Sequence, residues 1–243
     1  MAKESPAWHP LAAFVLPFIV FAVATSFESM ESVKAWYPML YGIKTLAILA
    51  VLWWGRAYYP AWSMKGIGAG LVFGLLGGIA WIVLSTWSIE KNILPGVLAS
   101  LGEWFNMPGL GDWIKPGNRV GYDAFSQLSP VAAWTFTVVR LIGLVIAVPI
   151  MEELFWRGFL NRFLIDERWQ DVAWGRVTTM SFAVVTVAFV AVHAEWTAAL
   201  VWGVGINLVY WWTRNLWACI VAHAASNAVL GYYILVYEQW QLW

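Results

Sequence analysis

Seven apolar runs alternate with short polar stretches along the chain, near residues 10 to 27, 37 to 54, 66 to 87, 134 to 165, 177 to 194, 196 to 212 and 216 to 237. Crossing a bilayer takes ~20 apolar residues as a helix, and the runs approach or exceed that length. They are rich in Leu, Val, Ala, Ile and Gly and show no sustained two-residue alternation. That pattern predicts helices rather than barrel strands, because a helix satisfies its own backbone groups where no water is at hand. The expected fold is all-α, a polytopic transmembrane bundle of seven or eight helices around a buried polar site. Residues 88 to 129 interrupt the pattern with Pro95, Pro108, Gly109, Gly111, Pro116 and Gly117 and predict a long extramembrane or re-entrant loop. Within it, ILPGVLASLGEWF is the candidate eighth helix, too short to span. No internal repeat or linker divides residues 1–243, which predicts one integral membrane domain.

Polar exceptions inside apolar runs carry the chemistry, since ionisable side chains at bilayer depth are costly and mark functional sites by default. The stretch VIAVPIMEELFWRGFL holds Glu152, Glu153 and Arg157; FVAVH ends on His193; HAASN holds His223 and Asn227. A fourth helix ending at Pro149 would leave Glu152 at one membrane face and His193 near the other. The sequence after the acids, LFWRGFLNRFLI, stays largely apolar to Ile165, so the helix is expected to continue and carry both acids near its middle. A helix over 134 to 165 exceeds the bilayer and must tilt, kink or protrude, and Pro149 offers a place for the kink. His223 lies about two turns inside the last run, at a compatible depth. Glu152, His193, His223 and Asn227 are therefore expected to line one cavity enclosed by the fourth, fifth and seventh spans.

Helical spacing separates their roles. Glu153 and Arg157, four apart, share a face and suit an ion pair, whereas Glu152 points elsewhere and is the free carboxylate. In a low-dielectric site such a carboxylate is suited to accepting a proton from water. His223 and Asn227, also four apart, offer N–H donors to a developing oxyanion. Phe189 shares a face with His193 and would shield it. Lys44 and Arg140 are expected to pair or to snorkel, Asn161 and Asn207 to serve as interhelical donors, and the glycines of GIGAGLVFGLLGG to permit close helix packing.

In order and spacing, EELFWR, FVAVH and HAASN resemble the EExxxR, FxxxH and HxxxN/D motifs of the CAAX-protease and bacteriocin-processing family of intramembrane glutamic endopeptidases. The resemblance covers roughly residues 130 to 235 and extends in general appearance to the CAAX-prenyl-protease-related proteins of bacterial exosortase systems. It implies a peptide hydrolase in which Glu152 with His193 activates water, His223 with Asn227 forms the oxyanion hole, and Glu153 with Arg157 braces the helix. It implies no cofactor or metal, a peptide or protein substrate at the membrane, and residence in a bacterial inner (cytoplasmic) membrane.

Composition narrows the alternatives. With 61% hydrophobic and 12% charged residues and 20 tryptophans, the chain is far from soluble averages. Its formal charge of zero leaves no basic footprint for nucleic acid. Cys219, the lone cysteine, cannot form an internal disulfide. MAKESPAWHP lacks a small-residue processing site, so the first run is expected to be a retained anchor. With the N-terminus in the cytoplasm, Lys3, Arg56, Lys65, Arg168, Arg176 and Arg214 face inward and Lys34, Lys91, Lys115 and Arg119 outward, a modest positive-inside bias. His9 and the tryptophans at span ends suit the interface. Two rival classes stand beside the hydrolase: a zinc site on Glu152, His193 and His223, weakened by the lack of HExxH, and a non-catalytic partner or transporter with charges along a path. The oligomeric state has no sequence signal.

Overall fold

Every apolar run is helical in the computed structural model, which describes residues 8–107 and 121–243, and no strand occurs among them. Lys3, Pro108, Gly109, Gly111, Lys115, Pro116, Gly117 and Arg119 lie outside the described residues. Helices α1 (Trp8–Glu28), α2 (Tyr37–Gly55) and α3 (Ile67–Trp87) come first. The short α4 (Ile89–Asn92) and α5 (Leu94–Trp104) follow. At 11 residues, about 16 Å, α5 is the non-spanning piece expected within the loop.

After α6 (Ala124–Gln127), a helical run of 34 residues extends from Pro130 to Phe163. It comprises α7 (Pro130–Ile142), α8 (Val148–Glu153) and α9 (Asn161–Phe163), joined by π-helical stretches at Gly143–Ala147 and Leu154–Leu160. The acids thus lie on a short α-helical piece between two wider turns. The chain closes with α10 (Thr179–Ala191), α11 (Trp196–Thr213) and α12 (Leu216–Tyr237).

Among the described residues five helical stretches are long and apolar enough to cross a membrane, two fewer than the seven runs suggested. The differences are α10, whose 13 residues reach about 20 Å, and α11, which has 18 residues but carries four tryptophans, Tyr210 and Asn207. Half of α11 is buried, including Trp202, Ile206 and Tyr210, so it meets protein on that face and needs less apolarity than a lipid-facing span.

The seam between α3 and α12 sets the register around the site. A Cβ at Gly70, Gly74 or Gly78 would lie 2.3, 2.2 or 2.9 Å from the carbonyl oxygens of Ala218, Ala222 and Ser226. Both series advance by four in the same direction, so the helices run parallel with their backbones in contact, as the small-residue rule for membrane helices allows. One end of this pair is fastened by Asn215, whose amide donates to the Ser63 and Lys65 carbonyls at 2.9 and 2.6 Å while its oxygen caps the Trp217 N–H. The connection carrying Gly175 packs on Arg214 at the same end. Arg56, Lys65, Arg176 and Arg214 therefore belong to loops on one side, and the alternation of helices puts Lys34 and Lys91 on the other. Nearby, burial pushes the Tyr59 phenol above its ordinary range, and the group remains a donor to the Ala13 carbonyl at 3.1 Å.

Of the buried cations outside the site, Arg162 donates to the Val172, Gly158 and Gln170 carbonyls, and two others bridge helices. Lys44 pairs with Glu28 at 2.5 Å. Arg140 donates to the Tyr37 hydroxyl and lies against the rings of Tyr41, Phe136 and Trp243.

Candidate active site

Glu153 is the hub of the polar contacts. Its Oε1 accepts from Arg157 at 3.1 Å and from Nδ1 of His223 at 2.9 Å, and Glu153 and Arg157 are both fully buried. Arg157 is held from the far side as well, its Nε donating to the Asn207 oxygen at 3.2 Å; the Asn207 amide then donates to Thr186 at 3.0 Å. One chain of hydrogen bonds thus ties α12, α8, the second π-helical stretch, α11 and α10 together. A charge without such support would be expensive at this depth, and the guanidinium fork is suited to serving two acceptors at once.

Glu152 differs. It is 6% exposed, and its Oε2 is enclosed without a hydrogen-bond partner among the described residues. Glu153 Oε2 is in the same condition, so an open oxygen does not by itself separate the acids. The difference is that the other oxygen of Glu153 is committed to two cationic or donor groups.

His193 follows the end of α10, and its Nδ1 is 2.7 Å from the Phe189 carbonyl. A carbonyl can only accept, so Nδ1 carries the proton and Nε2 is the acceptor nitrogen of the neutral ring. The same bond satisfies a carbonyl in the last turn of α10, where no intrahelical donor follows. Phe189 stacks on the imidazole at 4.2 Å between ring centres, with Trp81 edge-on at 5.6 Å. Phe189 also meets Trp156 at 5.9 Å and the Arg157 guanidinium at 5.6 Å. The expected shielding by Phe189 is therefore also a bridge from His193 to the Glu153 hub.

His223 and Asn227 share a face of α12 but do not share a partner. Asn227 donates to the Leu144 carbonyl at 2.8 Å. That carbonyl has lost its natural donor: in the five-residue register of Gly143–Ala147 it would accept from residue 149, and Pro149 has no N–H. Asn227 thus repairs the backbone just before the acids with one amide hydrogen and keeps a second for other use. Trp202 flanks His223 at 5.6 Å.

The motifs are therefore connected through Glu153, Arg157 and Phe189, while Glu152 lies beside this network without joining it. Thr186 and Asn207 were not assigned to the site from sequence; an asparagine deep in an apolar helix was the available signal for the latter. Among the described residues no three His, Cys, Asp or Glu side chains are grouped as metal ligands.

Residues 133–229 match the family described as Rce1-like, the type II CAAX prenyl endopeptidase Rce1-like proteins. The matched segment contains all three motifs. No curated protein matches the chain, and no solved structure matches it.

Proposed function

We propose that this protein, a member of the CAAX-protease family through residues 133–229 and an integral membrane protein by its long apolar helices, is an intramembrane endopeptidase of glutamic type with Glu152 as general base. The observation that carries the assignment is the unequal commitment of the two acids. Glu153 is consumed by Arg157 and His223, whereas Glu152 keeps a buried oxygen able to take a proton. In this reading a water gives its proton to Glu152 while Nε2 of His193 orients it by accepting its other hydrogen. The hydroxide forms a bond to the peptide carbon, and the carbonyl oxygen becomes an oxyanion held by the second amide hydrogen of Asn227 and by Nε2–H of His223. His223 donates there when its ring carries both protons, with Nδ1–H directed at Glu153. Collapse breaks the C–N bond, and the proton on Glu152 passes to the leaving amine.

A lipid-modified or membrane-anchored protein is the substrate class we favour. An apolar groove of about 200 Å³ runs between α3 and α11, lined by Phe73, Leu76, Ala80, Trp81, Leu84 and Trp202. Its two tryptophans are those that touch His193 and His223. A lipid chain laid in it would hold the attached peptide beside these two histidines.

The test is cleavage of a lipid-modified peptide by detergent-purified protein. Glu152→Gln is expected to abolish cleavage, by 10³-fold or more on the order of a lost general base and its positioned water, without lowering the yield of folded protein. Full activity in that variant would overturn the assignment. Exhaustive chelation, with metal content measured in parallel, is expected to leave the wild-type rate unchanged; loss of activity restored stoichiometrically by zinc would favour a metal site instead.

A further inference from the structure

At the end of the bundle opposite the Asn215 latch, a polar cavity of about 360 Å³ opens where α3 gives way to α4. Ser85, Ser88, Glu90, Glu195, Gln239 and Gln241 are among its walls. It begins one residue beyond Leu84, the last residue that α3 gives to the apolar groove, and also contains Ala194, the neighbour of His193. A peptide attached to a chain in the groove would thus pass His193 and meet this cavity.

Two of its groups are built to receive something. Glu90 is 2% exposed, and its carboxylate accepts one hydrogen bond, from Thr197 at 2.8 Å, with no cation paired to it among the described residues. Ser85 is 8% exposed, and its hydroxyl has no hydrogen-bond partner among the described residues. Its neighbour Thr86 turns its hydroxyl back to the Ile82 carbonyl at 2.8 Å, the usual resort of such a group in a helix, but Ser85 does not. A buried carboxylate held by one neutral hydroxyl, beside an idle hydroxyl, is poorly stabilised unless a cation joins it. The remaining charges, Lys91 and Glu195, each have an interaction of their own and contribute opposite signs.

We propose that this cavity is a specificity subsite for a basic side chain of the substrate, with a lysine ammonium or arginine guanidinium seated on Glu90 and accepted also by the Ser85 hydroxyl. The inference rests on the endopeptidase reading, because it is the scissile peptide that brings the basic residue there. A free polar solute would have no reason to arrive along an apolar groove.

The probe is a set of dye-labelled, S-farnesylated decapeptides, uncharged except for one lysine walked along the sequence, with glutamine counterparts. Each pair carries the same lipid, so partitioning into a neutral detergent cancels in the comparison. Binding to the Glu152→Gln protein is read by fluorescence anisotropy and cleavage by the wild type separately. One or two adjacent lysine positions are expected to bind at least tenfold tighter than their glutamine counterparts. Glu90→Gln, which can still accept from Thr197, should reduce that ratio to below threefold, and Glu90→Lys should transfer the preference to glutamate peptides. Ser85→Phe places a ring in the cavity while keeping Glu90 and Thr197 and should also remove the preference, which decides the matter if a Glu90 variant does not fold. Absence of a preferred lysine position, or a preference that survives in the folded variants, would overturn the subsite. Binding preference without wild-type cleavage of any peptide would instead overturn the endopeptidase reading alone.

Discussion

At the scale of single residues, Arg157 is the side chain on which the buried charge of the site depends. Removing it leaves Glu153 fully buried with only His223 beside it, a change that costs ~3–5 kcal/mol in comparable buried pairs. Arg157→Ala is therefore expected to reduce the monodisperse fraction in detergent and lower the thermal midpoint, whereas Glu152→Gln leaves both near wild type. Equal midpoints for the two variants would contradict this division. Asn207→Ala should be milder, about 1–3 kcal/mol, since it orphans one guanidinium N–H and the Thr186 contact but no charge. The Glu153–Arg157 pair was legible in sequence because i,i+4 spacing is local geometry. The partners of Asn207 and Lys44 were not: Asn207 meets Arg157 across 50 positions and Lys44 meets Glu28 across 16, and no periodicity encodes a contact between helices.

At the scale of elements, the long helix through the acids was readable in its length and in Pro149 but not in its π-helical stretches. Extra width in a helix leaves no pattern in apolar periodicity; it becomes visible only where a carbonyl must look elsewhere for its donor. The Asn227–Leu144 bond separates two explanations of that asparagine. If Asn227 serves only to repair the backbone, Pro149→Ala restores an N–H to Leu144 and should rescue the stability lost in Asn227→Ala. If it also holds an oxyanion, the double variant should regain its thermal midpoint yet remain at least tenfold slower in kcat, consistent with ~2.7–4 kcal/mol for a lost oxyanion donor. The proposed role of Asn227 predicts this second outcome, and recovery of full kcat would remove it from the oxyanion hole.

At the scale of the whole molecule, the α3–α12 seam fixes His223 by backbone contact. Gly74 meets the carbonyl of Ala222, the residue before His223, closely enough that any side chain forces the helices apart. Gly74→Val is expected to lower the thermal midpoint and to reduce kcat together, whereas Gly68→Ala, at a position with open space around it, should change neither. Unfolding monitored in detergent and a single-turnover assay would check both. The glycine rhythm made this close packing legible, but not its partner: which helix receives the glycines follows from topology, and the connection between α3 and α12 spans more than a hundred residues.

A π-helical turn can also be viewed as an α-helix holding one surplus residue, and each residue advances the side-chain direction by about 100°. The two stretches around Glu152 and Glu153 therefore work as phase absorbers, each taking up one residue without turning the helix beyond it. Deleting one residue within 143–147 would restore an α-helical turn and leave both acids facing as they do relative to α7, whereas a deletion within α7 itself would swing them by about 100°. Two chains with the same three motifs could thus differ by a single gap and still aim their carboxylates at the same helices. In an alignment, where a gap between Pro130 and Glu152 falls carries as much information about the reaction as the gap itself.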